Sequence, residues 1–244
     1  MNRSQNIYDN QDFFDGYQKL RENPYSANTV EEKPALFSLA PDLCGKRVLD
    51  LGCGYGENCK AFKDMGASYV MGVDLSQKML EVAEKENPSL KFLRGDMSNL
   101  SFITESFDVV FSSLAMHYIE DFDSLAKSVY KLLEPGGAFI FSQEHPFTTA
   151  PLTGSGWTKD EDGNVLHYNL TDYSRSGKRS TSWIVDGVIK YHRTFSQLVN
   201  GLISAGFAIE KMMETVPPEG IIKMDSKWER CLHKPNFLLI KAKK

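Results

Sequence analysis

VLDLGCGYGEN, residues 48–58, is the stretch that decides the fold. Val48, Leu49 and Leu51 around Asp50 read as a short buried strand, and three glycines spaced by two, Gly52, Gly54 and Gly56, turn the chain into a helical segment. A strand-to-helix turn of this kind belongs to a parallel α/β sheet and lets a ligand approach the backbone closely. A loop built for a pyrophosphate would carry its third glycine at position 57, where this chain has Glu57. A carboxylate at the mouth of a helix is a poor neighbour for phosphate, so the loop is ill suited to a dinucleotide.

Working outward, short apolar runs alternate with segments of helical spacing. Residues 46–51, 68–74, 90–96, 107–113 and 138–143 read as buried strands, and 57–65, 76–86 and 121–133 as helices. The second helix is opened by Asp74 and Ser76 and closed by Asn87-Pro88. Repeated βαβ units predict a doubly wound, mostly parallel sheet in an α/β fold. Three successive strands bring a carboxylate, Asp50, Asp74 or Asp96, to the edge where such sheets bind ligands. Asp74 suits a bidentate grip on the two hydroxyls of a ribose, Asp96 an amine such as an adenine amino group, and Asp50 an ammonium, directly or through water. Any one of them alone reads equally as a helix cap or a solvated loop residue. Together they describe a nucleoside ligand that carries positive charge.

The flanks break the rhythm. Residues 7–40 read as two helical pieces, interrupted at Asn23-Pro24 and at Pro34, and form an appendage to the sheet. Residues 146–192 are rich in Gly, Ser, Thr, Trp, Tyr and His and predict a β-rich insertion after strand 5, with strands near 164–170 and 181–191. A helix at 194–204 stops at Gly206, and strands follow at 207–213 and 236–243. The Pro-rich loop between those two strands holds no helix-length periodic segment, which favours an antiparallel pair.

Five runs, VLDLGCGYG, GVDLSQKML, RGDMSNL, FDVVFSSLAMHYIED and LLEPGGAFIFSQEHP, follow one another in order and at fitting distances. In them the stretch 46–143 resembles the class I S-adenosylmethionine-dependent methyltransferases, in particular their small-molecule, methyltransferase type 11-like branch. The resemblance implies a seven-stranded sheet in the order 3-2-1-4-5-7-6 with strand 7 antiparallel. It implies a catalytic domain over 46–145 and 193–244, an N-terminal helical cover over 1–45, and an inserted cap over 146–192 that would hold the acceptor. S-adenosylmethionine is the cofactor implied. Its site would comprise Asp50, Gly52, Cys53 and Gly54 of the glycine loop, Asp74 and Leu75 after strand 2, Asp96 and Met97 after strand 3, Ser112, Ser113 and Leu114 after strand 4, and Tyr17 from the cover, with Arg21 beside it. A sulfonium and an ammonium without phosphate account for acidic groups where a phosphate cradle would otherwise stand.

The same resemblance places three histidines near the reacting end. An imidazole titrates in the range useful to a base at neutral pH. His145, directly after strand 5, is the first candidate and His192 the second, while His117, Trp183 and Tyr168 are candidate acceptor contacts. The expected reaction is in-line methyl transfer to a small molecule. The alternatives are a protein that binds S-adenosylmethionine without catalysis, a methyltransferase acting on RNA or protein, and a nicotinamide-dependent oxidoreductase on the same kind of sheet.

Composition narrows the partners. With 244 residues, 41% hydrophobic and 25% charged, the chain is long enough for one large domain or a domain with an insertion, and its balance is that of a globular protein. A net charge of -4 provides no overall positive field for a nucleic acid. No run approaches the roughly 20 apolar residues of a bilayer crossing, and the first residues lack the order of a secretory signal, so a cytoplasmic location is expected. Cys44, Cys53, Cys59 and Cys231 form no CxxC pair and read as free thiols with no zinc set. The expected partner is a small-molecule acceptor, with no nucleic acid, membrane or metal, and the chain a monomer or homodimer.

Overall fold

The computed structural model describes residues 4–154 and 156–244. Helix α1 (Gln11–Arg21) starts where the Asn10 side chain accepts from the Phe13 amide. A wide helical turn, Asn28–Glu32, then runs straight into α2 (Lys33–Ser38). Pro34 therefore does not interrupt the second helical piece. It sits at the junction where the wide turn passes into α2, and the widened turn accommodates a residue without an N–H.

The alternating region then follows its periodicity closely. It runs β1 (Arg47–Leu51), α3 (Glu57–Asp64), β2 (Tyr69–Asp74), α4 (Gln77–Glu86), β3 (Lys91–Arg94), β4 (Phe107–Ser112), α5 (Phe122–Leu132) and β5 (Leu133–Glu144). Ser76 caps α4 and Asp121 caps α5 through their side chains. Beyond β5 come α6 (Pro146–Thr149), β6 (Trp157–Lys159), β7 (Val165–Tyr168), β8 (Gly177–Trp183), β9 (Val185–His192), α7 (Phe195–Ala205), β10 (Ala208–Glu214), α8 (Glu219–Met224) and β11 (Phe237–Lys243). Thr194 and Gln197 form a capping box at the start of α7, and Gly206, at φ +107°, ends it.

Seven strands make the central sheet, in the order β10-β11-β5-β4-β1-β2-β3. Neighbours from β3 to β5 run parallel, whereas β11 is antiparallel to both β5 and β10. Numbered among the sheet strands alone this is 3-2-1-4-5-7-6, as the motifs imply. Alternate residues of each strand feed opposite faces. Leu49, Leu51, Val73, Val110, Phe139 and Phe141 pack under α5 and α7. Val48, Val70, Phe111 and Ile140 pack with Leu36 of α2, Phe62 of α3 and Leu80 of α4.

Two regions differ from expectation. The insertion holds two hairpins, β6–β7 and β8–β9, because the stretch anticipated as one strand at 181–191 turns back at Ile184. Ile184 stands at φ +63°, a conformation for which a β-branched residue carries no sequence signal. Between β10 and β11, α8 and a short helical turn at Ser226–Leu232 occupy the expected Pro-rich loop.

Candidate active site

The carboxyl ends of β1 to β5 share one edge, and Phe237 pairs with Glu144, so antiparallel β11 starts at that edge too. A cavity of about 600 Å³ runs along it, under the N-terminal segment and α1. Gly52 and Gly54, at φ +74° and +53°, form its floor beside β1. A Cβ at Gly52 would stand 2.7 Å from that of Ala115, whereas one at Gly54 would meet nothing within 4 Å. The first glycine is required by packing and backbone together, and the second leaves room for a ligand.

Asp74 closes the end of β2. Its carboxylate accepts from the Gly54 amide at 2.9 Å and from the Ser76 amide at 2.8 Å, one bond to each oxygen. Asp74 lines the cavity, and its two oxygens retain acceptor capacity of the kind two vicinal hydroxyls would use. Asp96 lines the same end and accepts from the Ser98 amide at 2.9 Å and the Ser4 hydroxyl at 3.0 Å. Leu75, Met79 and Met97 supply apolar wall for a planar base, and Cys53, Leu114 and Tyr17 also face the cavity. Leu114 is held at φ +52° by bonds from its amide to the hydroxyl and carbonyl oxygens of Ser142. These groups fit the nucleoside and amino-acid portions of S-adenosylmethionine.

Glu57 has a defined role. At the first turn of α3 it meets both Arg21 of α1 and Lys33 of α2, binding the cover to the glycine loop. Burial alone would raise its pKa, but Lys33 and Arg21 bring it below its ordinary value. The cover is fixed further by aromatic edges. Tyr8 meets Phe13 at 4.8 Å and Tyr17 at 5.2 Å between ring centroids, and Phe13 meets Trp183 at 5.4 Å.

The other end of the cavity lies by β4, β5 and β11, with His117, Glu144, Thr148, Trp183, Arg230 and Lys234 among its walls. His117 is 3% exposed, and its Nδ1 accepts from the Glu144 amide at 3.3 Å. That bond places the ring proton on Nε2, and the residue lines the cavity. Burial lowers its pKa to about 4, with Glu144 opposing, so the ring is neutral at physiological pH. The Glu144 carboxylate accepts from Lys190 at 2.6 Å, and Lys190, with Lys234 beyond it, overcomes its burial to keep it ionised.

Several residues anticipated at the site stand elsewhere. His145 lies behind the wall, its Nδ1 accepting from the Phe147 amide and its Nε2 meeting Glu214 at 3.1 Å. His192 donates from Nε2 to the Tyr173 carbonyl and meets Thr149 through Nδ1. With both ring nitrogens engaged outside the cavity, neither can take a proton there. Ser112 points to the opposite face of its strand and donates to the Leu51 carbonyl, leaving Ser113 on the cavity side. Asp50 is fully buried behind the loop, touched by the Cys59 thiol at 3.6 Å. Burial lifts its pKa to about 7. Tyr168 donates to the Phe147 carbonyl and packs outside the wall, while Trp183 does line it.

Other contributors carried no legible signal. Glu32, fully buried, accepts from Ser113, Ser142 and Asn28, while Glu31 accepts from Thr215 at 2.6 Å and Asn236 at 2.8 Å. In sequence this pair reads as an ordinary solvated charge. Lys234 and Arg230 sit in a stretch without periodicity. Among the described residues no cluster of His, Cys, Asp and Glu could hold a metal ion, and no helix is long and apolar enough to cross a membrane.

Residues 49–141 match the family model described as methyltransferase domain. The structure is similar to that of an S-adenosylmethionine dependent methyltransferase from Mesorhizobium loti, with 39% identity and a TM-score of 0.81 over 92% of this chain and 100% of that one. A Haemophilus influenzae protein of uncharacterized function is 41% identical over 100% of this chain and 99% of its own length. The phthiotriol/phenolphthiotriol dimycocerosates methyltransferase of Mycobacterium tuberculosis is 36% identical over 108 residues, 43% of this chain and 40% of that protein. Full-length likeness at this identity, on a seven-stranded sheet of the order the motifs imply, settles the family: the chain belongs to the class I S-adenosylmethionine-dependent methyltransferases, and S-adenosylmethionine is its cofactor.

Proposed function

We propose that the protein methylates a small molecule bound between the sheet edge and the N-terminal cover. The observation that carries this reading is the cavity itself. Its volume of about 600 Å³ lies in the range of small-ligand sites, and its two ends differ in chemistry. Asp74, Asp96, Leu75 and Met97 would hold the nucleoside, with Gly52, Cys53, Gly54, Leu114 and Tyr17 around the rest of the cofactor. Asp50 would act on the ammonium only through the loop or a water. When bound, S-adenosylmethionine supplies a methyl group already activated on a sulfonium.

What remains for the chain is alignment and exclusion of water. His117 offers an N–H to the acceptor and does not take its proton, because burial keeps the ring neutral and its other nitrogen is engaged. The ionised Glu144 is the acceptor-side group able to receive a hydrogen bond from a hydroxyl or amine. An acceptor that is already nucleophilic and needs positioning above all is therefore favoured. Trp183 and the Tyr8–Tyr118 contact, 3.4 Å between hydroxyls, would shut out solvent.

Calorimetric titration tests the cofactor half. S-adenosylmethionine and its demethylated product are expected to bind in the micromolar range and NAD not at all. Asp74→Ala should weaken cofactor binding by about 1.5–3 kcal/mol, the scale of hydrogen bonds to a charged acceptor. An unchanged affinity would move the ribose elsewhere. The acceptor half is tested by following demethylated cofactor while pools of small molecules, bulk RNA and protein are offered; turnover on RNA or protein alone would overturn it.

A further inference from the structure

Lys234 lies just before β11, in the segment that the pairing of Phe237 with Glu144 suspends over the acceptor end of the cavity. It is 7% exposed, and its Nζ donates to the Thr148 hydroxyl at 2.8 Å. The Tyr168 and Trp157 rings hold the ammonium at 5.1 Å and 5.5 Å from their centroids. The insertion thus positions this lysine. Among the described residues no carboxylate forms an ion pair with it, since the nearby Glu144 is taken by Lys190 at 2.6 Å. Burial holds its pKa below the ordinary lysine value, and Arg230 pushes the same way against Glu144. Arg230 lines the exposed rim and makes no ion pair among the described residues. A buried ammonium without a counter-ion is costly, and an anion entering from the cavity would relieve that cost.

We propose that the methyl acceptor carries an oxyanion, a carboxylate or a phosphate monoester, that docks on Lys234 with Arg230 at the rim. This rests on the reading of the cavity as the methyl-transfer site. Both groups offer oxygens to an ammonium and a guanidinium, and both would be fixed at a point distant from the acidic nucleoside end.

The test uses the full chain saturated with S-adenosylhomocysteine and titrated with inorganic phosphate, propionate and neutral propionamide. Saturable binding of phosphate or propionate, with none of propionamide, is expected, and the tighter of the two assigns the anion. Lys234→Met should weaken that binding at least about tenfold and Arg230→Gln by about threefold, with S-adenosylhomocysteine affinity unchanged. Absence of oxyanion binding by the loaded wild-type chain, or equal binding by the two variants and wild type, overturns the proposal. If Lys234→Met fails to fold, the outcome rests on Arg230→Gln, where reduced binding supports the proposal and unchanged binding refutes it. Failure of the wild-type chain to bind S-adenosylhomocysteine at all would refute the methyl-transfer site itself, a result distinct from loss of the oxyanion alone.

Discussion

Asp50 and His117 are buried ionisable groups whose pKa values move in opposite directions, so each leaves its own mark on stability. The Asp50 carboxyl rises from 3.8 to about 7 on folding, chiefly through burial. Its contribution is complete below pH 3.8 and is lost as pH rises toward 7, on the order of 4 kcal/mol in all. Asp50→Asn should therefore make the ligand-free protein more stable than wild type at pH 8 but not at pH 4, as read by chemical denaturation. The same variant should bind S-adenosylmethionine more weakly if the charge reaches the ammonium; unchanged affinity would make Asp50 purely structural. His117 falls from 6.5 to about 4, also through burial. Its contribution is present above pH 6.5 and is lost as pH drops toward 4, about 3 kcal/mol. His117→Gln should flatten that acid limb, and an unaltered limb would assign it to other groups.

The N-terminal cover is held as an element by Glu31 and Glu32, which reach two different parts of the sheet edge, and by Glu57, which reaches back from α3 to Arg21 and Lys33. Glu32→Ala would leave the hydroxyls of Ser113 and Ser142 and the Asn28 amide without their shared acceptor, a loss of about 1–3 kcal/mol. Amide exchange across α1 and α2 should accelerate while β1 stays protected; equal protection throughout would mean that the aromatic contacts suffice. The two insertion aromatics should part company. Trp183 touches Tyr17 at 6.1 Å between centroids as well as the cavity, so Trp183→Ala should weaken cofactor and acceptor together by roughly 1–3 kcal/mol. Tyr168→Ala reaches the site only through Lys234 and should spare the cofactor, and paired titrations of each folded variant measure the difference.

For the molecule as a whole, a ligand that bridges the glycine loop, the strand ends and the cover stabilises the folded chain by mass action. At 100 times its dissociation constant S-adenosylmethionine should add about 2.7 kcal/mol. For a chain of this size that raises Tm by about 5–10 °C, whereas NAD at the same concentration should leave the melt unmoved. A shift with NAD and none with S-adenosylmethionine would contradict the cofactor assignment.

Sequence by itself determined the strands of the sheet and the placing of Asp74 and Asp96 at the ends of two of them, because those features are local, and the order of the strands followed from the resemblance that the motifs carry. Strand periodicity, the glycines of residues 52–56 and the acids at Asp74 and Asp96 are each set by their immediate neighbours in the chain. A partner lies outside that reach. Only the tertiary structure turned Ser112 inward and Ser113 outward, engaged both nitrogens of His145 and His192 away from the cavity, and left His117 beside it. Only chain segments far apart in sequence brought Glu32 to Ser142 and Lys234 to Thr148. The burial of a charge, and the side chain that answers it, are decided by what the fold places opposite it, which no spacing along the chain encodes.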